Sequence, residues 1–331
     1  MKSREIRLLS YLQGDPKPEN FELGEVDVPA PGEGEITVKN TWLSVDPYMR
    51  GRMSGIRTYI DPFQLGKPME GGAVGEVVES KFDGLKPGDH VMSMMGWREA
   101  WTADGRVAQK IDASILPAQA YLGVAGLTGI TAYVGLKRII DLKEGETLWM
   151  SAGAGAVGSV GIQFAKAMGA KVVATAGGAE KCAYLKEIGA DAVVDYKAVD
   201  NLSEAIREAA PEGVDAYFEN VGGAHLTAAI NNLKQYGRMA CCGMINRYND
   251  QQLGTIEDNF VQIVGKSLKI QGFIVSDHLD MQPEFIQDLT NWMLAGKINA
   301  AETVKEGIES MPAAFMGLFS GENIGKMLVK L

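Results

Sequence analysis

The sequence predicts an α/β protein of two domains, one β-rich and the other built on a doubly wound parallel sheet. The chain has 331 residues, a length that corresponds to about two domains of ordinary size. Extended segments separated by turn residues fill roughly the first 120 positions, whereas strands and helices alternate after about residue 127. We therefore predict a β-rich domain of residues 1–125 and 297–331, and a doubly wound α/β domain of residues 126–296.

The β-rich region shows short apolar runs between turn signals. Residues 35–38 and 72–78 are typical of strands, and turn pairs such as Asp83-Gly84 separate runs of this kind. Little of the region has the period of a helix, so we expect an antiparallel, barrel-like arrangement. The final run, 326–331, is expected to be a strand that returns to this domain.

The second region alternates strands and helices at the spacing of βαβ units. The predicted strands cover 148–151, 171–176, 192–196, 214–219, 238–242 and 268–276. The predicted helices cover 157–168, 179–188, 202–209, 224–235 and 283–295. This alternation is typical of a parallel sheet with helices on both faces.

The bulk composition excludes several kinds of partner. The chain carries 32 Lys and Arg against 42 Asp and Glu, a net charge of −10, so we expect neither nucleic acid nor an anionic membrane surface as partner. Two long uncharged stretches, 113–136 and 147–165, are broken by glycines and polar residues, unlike a membrane span. Three cysteines and no secretory leader indicate a cytoplasmic protein with reduced thiols.

A glycine motif follows the first strand of the alternating region. Gly153, Gly155 and Gly158 give the spacing G-x-G-x-x-G between a predicted strand and a predicted helix. Glycines permit a tight turn and a close approach of the backbone to a pyrophosphate, and the helix N-terminus offers free N–H groups to it. The motif therefore predicts dinucleotide binding, with a ligand-free packing turn as the alternative.

The stretch ATAGGAEKC, residues 174–182, has no acid at the end of the second strand. In dinucleotide-binding domains an Asp or Glu at this point holds the free ribose of NAD. Gly177 and Gly178 instead leave space, and Lys181 can reach a 2′-phosphate, which an acid would repel. We therefore predict that the cofactor is NADPH. The alternative is that Lys181 is a solvated lysine at the start of a helix.

These motifs and others resemble the zinc-independent medium-chain dehydrogenase/reductases. The resemblance covers nearly the whole chain and is to the branch of prostaglandin reductases, plant alkenal double-bond reductases and bacterial curcumin reductases. The segments that carry it are VDPYMR (45–50), GITAY (129–133), SAGAGAVGSVG (151–161), EKCAYLKEIGAD (180–191), YFENVGG (217–223), GRMACCG (237–243), MPAAFMGL (311–318) and ENIGKMLVK (322–330). The resemblance implies a Rossmann domain, a GroES-like β-rich domain and a homodimer joined through edge strands of the nucleotide domain.

The resemblance also implies the cofactor contacts. On the pyrophosphate side they are Ala154, Gly155, Ala156, Val157 and Gly158, and at the phosphorylated adenosine they are Gly178 and Lys181 for the 2′-phosphate and Tyr196 near the adenosine. Around the nicotinamide lies a stretch that begins with Cys242, Gly243, Met244 and Ile245 and reaches Tyr248. The remaining contacts are Asn220, Phe273, Ile274, Val275 and Asn323. Tyr196 and Phe273 have an alternative as core aromatics at strand ends. Asn220 has an alternative as a residue suited to a turn.

The activity that the resemblance implies is reduction of the C=C bond of a small hydrophobic enone, alkenal or 15-keto-prostaglandin-like compound. Hydride goes to the β-carbon, and a fixed donor lowers the barrier by meeting the developing enolate oxygen. The candidate donors are the hydroxyl of Tyr248 and the 2′-hydroxyl of the nicotinamide ribose, with cofactor positioning as the alternative role for Tyr248. Tyr48 and Arg50 are candidates for the substrate side, Arg50 attracting an acidic tail, or else a packing tyrosine and a structural arginine.

Two features bear on the chemistry. Several eukaryotic relatives carry a tyrosine where our alignment places Gly265, so that this chain would lack one possible donor. Zinc is not expected, because the three cysteines and three histidines are scattered and residues 70–79 stand where zinc-dependent relatives carry a Gly-His-Glu stretch. An NADPH quinone oxidoreductase remains an alternative, as does an NADPH-binding protein without turnover.

Overall fold

The computed structural model describes residues 1–251, 254, 255 and 257–331 and divides them into two compact units. The first unit consists of Met1–Gly123, Glu302–Asn323 and Met327–Leu331. The second consists of Val124–Ala301 and Ile324–Lys326. In the described part of the chain, no helix is long and apolar enough to cross a membrane.

The helices and strands follow one another along the chain in two stretches. Up to residue 123 they are β1 (Lys2–Leu8), β2 (Phe21–Asp27), β3 (Glu35–Ser44), α1 (Met49–Arg52), β4 (Ala73–Ser80), β5 (His90–Ser93), β6 (Ala100–Asp104) and β7 (Gln109–Lys110). From there on they are α2 (Leu127–Val134), β8 (Thr147–Met150), α3 (Ala156–Ala167), β9 (Lys171–Ala176), α4 (Ala179–Glu187), β10 (Ala192–Asp195), α5 (Leu202–Ala209), β11 (Val214–Glu219), α6 (Ala224–Asn232), β12 (Leu233–Cys241), α7 (Val261–Gly265), β13 (Lys269–Gly272), α8 (Gln282–Leu294), β14 (Glu302–Glu306), α9 (Met311–Ser320) and β15 (Lys326–Lys330).

The first unit is built on antiparallel strands, as predicted. β1 pairs with β2, and a larger sheet has the order β14-β15-β3-β4-β5-β7 with β6 also paired to β3. The C-terminal strand β15 returns to this unit and pairs antiparallel with β3, which confirms the expectation for the end of the chain. The short helix α1 in this region was not expected from the sequence.

The core of the first unit is aromatic. Trp97 is fully buried, stacks on Phe21 with ring centroids 6.1 Å apart, and meets Phe315 edge-on at 6.2 Å. The indole of Trp97 therefore fills this core, where stacked and edge-on contacts between aromatic rings are favourable.

The second unit carries a six-stranded parallel sheet of order β10-β9-β8-β11-β12-β13. Counted along the chain this is the order 3-2-1-4-5-6 of a doubly wound dinucleotide-binding sheet. β8 is buried along its whole length and β9 beyond its first residue, as expected for strands covered by helices on both faces. The carboxyl ends of β8 and β11 meet at the point where the strand order reverses, which is where such sheets bind ligands.

Most predicted elements of the second unit lie within two residues of their observed ends, and three are corrected: the helix over 224–235 and the strands over 238–242 and 268–276. The helix predicted over 224–235 ends at Asn232, and β12 starts at Leu233. Pairing of β11 with β12 jumps from Leu233 to Arg238, and Tyr236 within the bulge has φ of 63°. The strand predicted over 268–276 ends at Gly272, where pairing with β12 ends, and a 3₁₀ segment follows over Val275–Met281.

Candidate functional site

The glycine turn between β8 and α3 is tightly packed. A Cβ on Gly158 would lie 2.3 Å from the carbonyl oxygen of Ala152 and 2.8 Å from Cα of Gly153, both backbone atoms. Ala152 itself has φ of 47°, a left-handed conformation that is strained for alanine. The turn is closed by the N–H of Gly155, which donates to Ala152 at 2.9 Å, and only glycine fits at position 158.

The outer side of the same turn is open. A Cβ on Gly155 would meet one neighbour, the Ala152 carbonyl oxygen at 3.2 Å, so a ligand can approach the backbone there. Gly155 caps α3, a helix of 12 residues, whose first N–H groups have no partner within the helix and carry the positive end of its dipole. The N–H of Gly325 donates a hydrogen bond to the carbonyl oxygen of Ala154 at 2.8 Å. Asn323, a predicted cofactor contact, lies two residues before Gly325 in the chain and is buried.

The carboxyl end of β9 carries cations in place of an acid. Gly178 has φ of 97° and begins α4, and Lys181 on the first turn of α4 is half-buried. Burial and then the positive charge of Lys197 lower the pKa of Lys181, while Glu180 raises it. Tyr196 follows β10 and is 39% exposed, so its ring is not a core aromatic. Lys197 is a residue that the sequence analysis missed.

The carboxyl end of β11 is organised by a buried glutamate. Glu219 is fully buried, and its Oε1 accepts hydrogen bonds from the Tyr217 hydroxyl at 2.9 Å and from the N–H groups of Val221 and Gly222 at 2.6 and 2.9 Å. Burial raises the pKa of Glu219, and these hydrogen bonds oppose that shift. Glu219 therefore fixes the turn that presents Asn220, although the sequence analysis did not single it out.

Asn220 is held against the end of β8 by Ser151. The N–H of Asn220 donates to Ser151 Oγ at 2.9 Å, and its side-chain amide donates to the Ser151 carbonyl at 2.9 Å. Both ends of the switch point between β8 and β11 are thus joined by hydrogen bonds. The hydrogen bond to the Ser151 carbonyl fixes the orientation of the Asn220 carboxamide, whereas a residue chosen only for its turn conformation would not need such a bond.

The segment after β12 is joined to the same turn through its backbone. The N–H groups of Cys242 and Gly243 both donate to the carbonyl of Glu219, at 3.0 and 3.1 Å, and the N–H of Ile245 donates to the carbonyl of Asn220 at 3.1 Å. A Cβ on Gly243 would lie 2.9 Å from the hydroxyl oxygen of Tyr248. The Tyr248 hydroxyl therefore lies directly over the Gly243 backbone.

A cavity of about 420 Å³ opens at the carboxyl ends of β12 and β13. Its lining residues are Cys241, Cys242, Gly243, Met244, Gly272, Phe273, Ile274 and Asp277. Five of these were predicted at the nicotinamide from the resemblance, whereas Cys241, Gly272 and Asp277 were not. Of the predicted set, Val275 and the residues from Ile245 to Tyr248 do not line this cavity. The volume is within the range of small-molecule sites.

The two cysteines at this cavity are suited to packing and not to nucleophilic chemistry. Burial raises the pKa of Cys241 to about 11 and that of Cys242 to about 12. Both thiols are therefore protonated near neutral pH, and a thiol in that state is a weak nucleophile. Neither thiol is therefore suited to form a covalent intermediate with a substrate.

In the first unit, Tyr48 and Arg50 lie at the start of α1. The Tyr48 hydroxyl is buried without a hydrogen-bond partner in the described part of the chain, and burial raises its pKa. The Arg50 guanidinium is buried and donates to the carbonyl of Gly14 at 2.8 Å. Gly265 ends α7 in the second unit, where an added Cβ would have nothing within 4 Å, and it does not line the cavity.

His225 gives the second unit a predictable pH dependence. It is 4% exposed, contacts Tyr196 edge-on at 5.1 Å between ring centroids, and burial lowers its pKa from 6.5 to about 4. The unfolded chain binds this proton more tightly, so the stabilising contribution is complete above pH 6.5 and is lost as the pH falls towards 4.

We expect the free energy of unfolding to fall by about 2 kcal/mol more in the natural protein than in His225→Phe when the pH is lowered from 7 to 4.5. Urea denaturation of both proteins at the two pH values measures this difference. Equal losses in the two proteins would contradict a buried, neutral histidine.

Comparisons with known proteins agree with this geometry. Two family models match the chain, one described as the N-terminal domain of oxidoreductase over residues 4–111 and one as zinc-binding dehydrogenase over residues 156–293. Prostaglandin reductase 1 from Rattus norvegicus is 41% identical over 98% of this chain and 97% of its own length, and the NADP⁺-dependent 2-alkenal reductase of Nicotiana tabacum is 39% identical over 99% and 97%. The chain belongs to the medium-chain dehydrogenase/reductases.

The likeness to a solved medium-chain dehydrogenase/reductase extends to the whole fold. The structure of CurA from Vibrio vulnificus in complex with NADPH superposes with a TM-score of 0.94 at 38% identity, covering 99% of this chain and 98% of that one. The resemblance to the prostaglandin reductase and alkenal reductase branch is thereby confirmed, and with it the α/β fold with a Rossmann sheet and a GroES-like unit.

The family model that matches residues 156–293 is described as a zinc-binding dehydrogenase, but the described residues offer no cluster of metal ligands. In the described part of the chain, no group of three or more His, Cys, Asp or Glu is placed to hold a metal ion, and Cys182, Cys241 and Cys242 are free thiols. Zinc independence remains a prediction, and assay after exhaustive dialysis against a chelator tests it.

Proposed function

We propose that this chain is an NADPH-dependent reductase of the C=C bond of α,β-unsaturated aldehydes and ketones. The observation that carries the proposal is the Tyr248 hydroxyl lying over Gly243 beside a cavity at the carboxyl ends of the sheet. The names of relatives near 40% identity support it, because two of them are reductases of prostaglandins and of 2-alkenals. The substrate that we infer is a small, largely apolar enone.

The residues of the second unit fit NADPH. The open face of Gly155 and the N-terminus of α3, residues 156–158, suit a pyrophosphate. Lys181 and Tyr196 suit the phosphorylated adenosine, and Asn220 is fixed near the switch point. We propose the nicotinamide contacts over 242–245 and 273–275.

NADPH supplies a hydride when bound, and the protein has to stabilise the charge that then develops on the substrate oxygen. We propose that the Tyr248 hydroxyl is the donor to that oxygen. The Gly243 backbone beneath this hydroxyl is held to the sheet by the two hydrogen bonds from the Cys242 and Gly243 N–H groups to the Glu219 carbonyl. Preorganised donors of this kind contribute more than flexible ones.

Tyr248→Phe tests the role of this hydroxyl. We expect kcat to fall by about 100-fold, the usual effect of losing one donor to a developing oxyanion, while the Kd of NADPH stays within about twofold. Steady-state kinetics and a fluorescence titration of NADPH measure the two quantities. A weakened Kd with kcat retained would instead make Tyr248 a cofactor-positioning residue.

For the substrate side we propose Tyr48 and Arg50 of the first unit. The Tyr48 hydroxyl is buried without a hydrogen-bond partner in the described part of the chain and would gain one from a polar group of the substrate, whereas Arg50 already donates to the Gly14 carbonyl and acts through its charge. Comparing substrates with and without an acidic tail tests the contribution of Arg50.

The experiment that tests the proposed function is substrate profiling with purified protein. An alkenal, an aryl enone, a 15-keto lipid and a quinone are each supplied with NADPH or NADH, and consumption of the reduced cofactor is followed by absorbance with identification of the product. We expect saturated carbonyl products, formed much faster with NADPH. Turnover of the quinone alone, or of none of the four, would contradict the proposal.

We also propose a homodimer through the edge of the parallel sheet. β13 is an edge strand, and the apolar side chains exposed on and beside it are Tyr236, Phe260, Val261, Val264 and Ile270. The N–H of Tyr236 donates to the carbonyl oxygen of Lys266, the residue that follows α7, so the end of α7 lies next to the bulge of β12. An open sheet edge flanked by apolar groups is typical of an interface.

Val264→Asp tests this interface, and Leu294→Asp is its matched control. The two side chains are 81% and 84% exposed, but Leu294 ends α8 and is not part of the apolar edge. We expect light scattering after size exclusion to give twice the chain mass of 35.6 kDa for the natural protein and the control. Val264→Asp should give the mass of one chain, because it places a charge in an apolar contact. A dimeric Val264→Asp protein would exclude this edge.

A further inference from the structure

We propose that Lys197 is a second cation for the 2′-phosphate, forming with Lys181 a pair that determines the preference for NADPH. This inference rests on the proposed function and extends it, because it names the residue that accompanies Lys181 and explains why Gly177 has no side chain. The Lys197 side chain passes close to Gly177, its backbone N–H is bound by Asp195, and its charge is close to that of Lys181.

The side chain of Lys197 crosses the turn between β9 and α4. A Cβ on Gly177 would lie 2.8 Å from Cε and 3.0 Å from Cδ of Lys197, and 3.0 Å from Cζ of Tyr196. The aliphatic part of Lys197 therefore occupies the space that a side chain at position 177 would need. An acid at this position, as in NAD-binding domains, would displace the lysine and pair with its charge. The absence of an acid at position 177 and the presence of the Lys197 side chain beside it therefore follow from the same close packing.

Asp195 fixes the backbone on both sides of this crossing. Its Oδ1 accepts the N–H of Gly178 and the N–H of Lys197, each at 3.0 Å. One carboxylate oxygen thus joins the end of β10 to the start of α4 and brings the two lysine-bearing segments together. Because Asp195 Oδ1 accepts from both backbone N–H groups, Asp195 stabilises the arrangement of these two segments.

The charge environment indicates an anionic ligand. Lys181 and Lys197 are close enough for the charge of Lys197 to lower the pKa of Lys181, and neither forms an ion pair with a residue that the structure describes. The pair thus places two neighbouring positive charges at this turn, in a chain with an excess of ten negative charges. A phosphate dianion placed between them would satisfy both through charge-assisted hydrogen bonds.

Binding of nucleotide fragments tests the pair without any catalytic turnover. Calorimetric titration of the full chain with 2′,5′-ADP and with 5′-AMP gives a ratio of Kd values that reports the 2′-phosphate alone. The variants are Lys197→Gln and Lys181→Gln, and the control is Lys186→Gln, which removes an exposed lysine from the same helix α4. Unchanged thermal unfolding of each variant shows that the fold is retained.

We expect the natural protein and Lys186→Gln to favour 2′,5′-ADP strongly, and Lys197→Gln and Lys181→Gln each to lower that preference by about tenfold or more, as for loss of a hydrogen bond between charged groups. The affinity for 5′-AMP should not change. A Lys197→Gln protein that keeps the full preference while Lys181→Gln loses it would overturn this inference and leave the proposed function standing. A natural protein without any preference for 2′,5′-ADP would overturn the NADPH proposal together with it.

Discussion

Gly158→Ala is expected to weaken cofactor binding, raising the Kd of NADPH by about 100-fold or more. The added methyl would lie 2.3 Å from the Ala152 carbonyl oxygen, and that atom belongs to a strained turn that has no flexible side chain to move aside. Overpacking of this kind costs about 1–3 kcal/mol of folding free energy, and the turn that faces the pyrophosphate has to shift. Fluorescence titration and urea denaturation measure the two effects.

The control for this exchange is Gly265→Ala. Position 265 has nothing within 4 Å of the added methyl and has no positive φ, so the same exchange is sterically free there. We expect this variant to bind NADPH as the natural protein does. If Gly158→Ala behaved like its control, the glycine turn would not be the rigid element that the structure indicates.

Glu219→Ala is expected to lower the free energy of unfolding by about 3 kcal/mol or more and to reduce kcat/KM strongly. The substitution leaves the Tyr217 hydroxyl and the N–H groups of Val221 and Gly222 without their acceptor, and each buried donor without a partner costs about 1–3 kcal/mol. The same turn holds Asn220 and receives the segment before Tyr248, so the cofactor site loosens with it. Urea denaturation and steady-state kinetics measure both losses.

Glu219→Gln separates the hydrogen bonds from the charge. Its side-chain carbonyl can accept the same three hydrogen bonds, so most of the lost stability should be recovered relative to alanine. A glutamine variant as unstable as the alanine variant would show that the charge of Glu219, and not its role as acceptor, maintains the turn.

The sequence predicted the central strands of the sheet well because they are buried on both faces. The strands over 171–176 and 214–219 have the observed ends because they are largely apolar. The helix over 202–209 also has the observed ends, since Asn201 caps its start and Pro211 follows its end. The bulge of β12 was not predictable, because it arises from the pairing of Val214 with Leu233 across a helix. Non-local pairing of this kind leaves no local signal.

The site shows the same division between local and non-local information. The glycine spacing and Lys181 are readable in the sequence, whereas Glu219 and Lys197 act through contacts that only the fold creates. Glu219 reads as an ordinary strand-end acid until it is seen to be fully buried. Lys197 follows β10, and its contact with Gly177 depends on the pairing of β10 with β9, in which Asp195 lies opposite Ala176.

The position of the transferred hydrogen in the product distinguishes reduction of the C=C bond from reduction of the carbonyl group. An aryl enone is reduced with NADPH that carries deuterium at the reactive carbon of the nicotinamide, and the product is analysed by mass spectrometry and NMR. Our account predicts a saturated ketone with deuterium on the β-carbon. An allylic alcohol with deuterium on the former carbonyl carbon would contradict it.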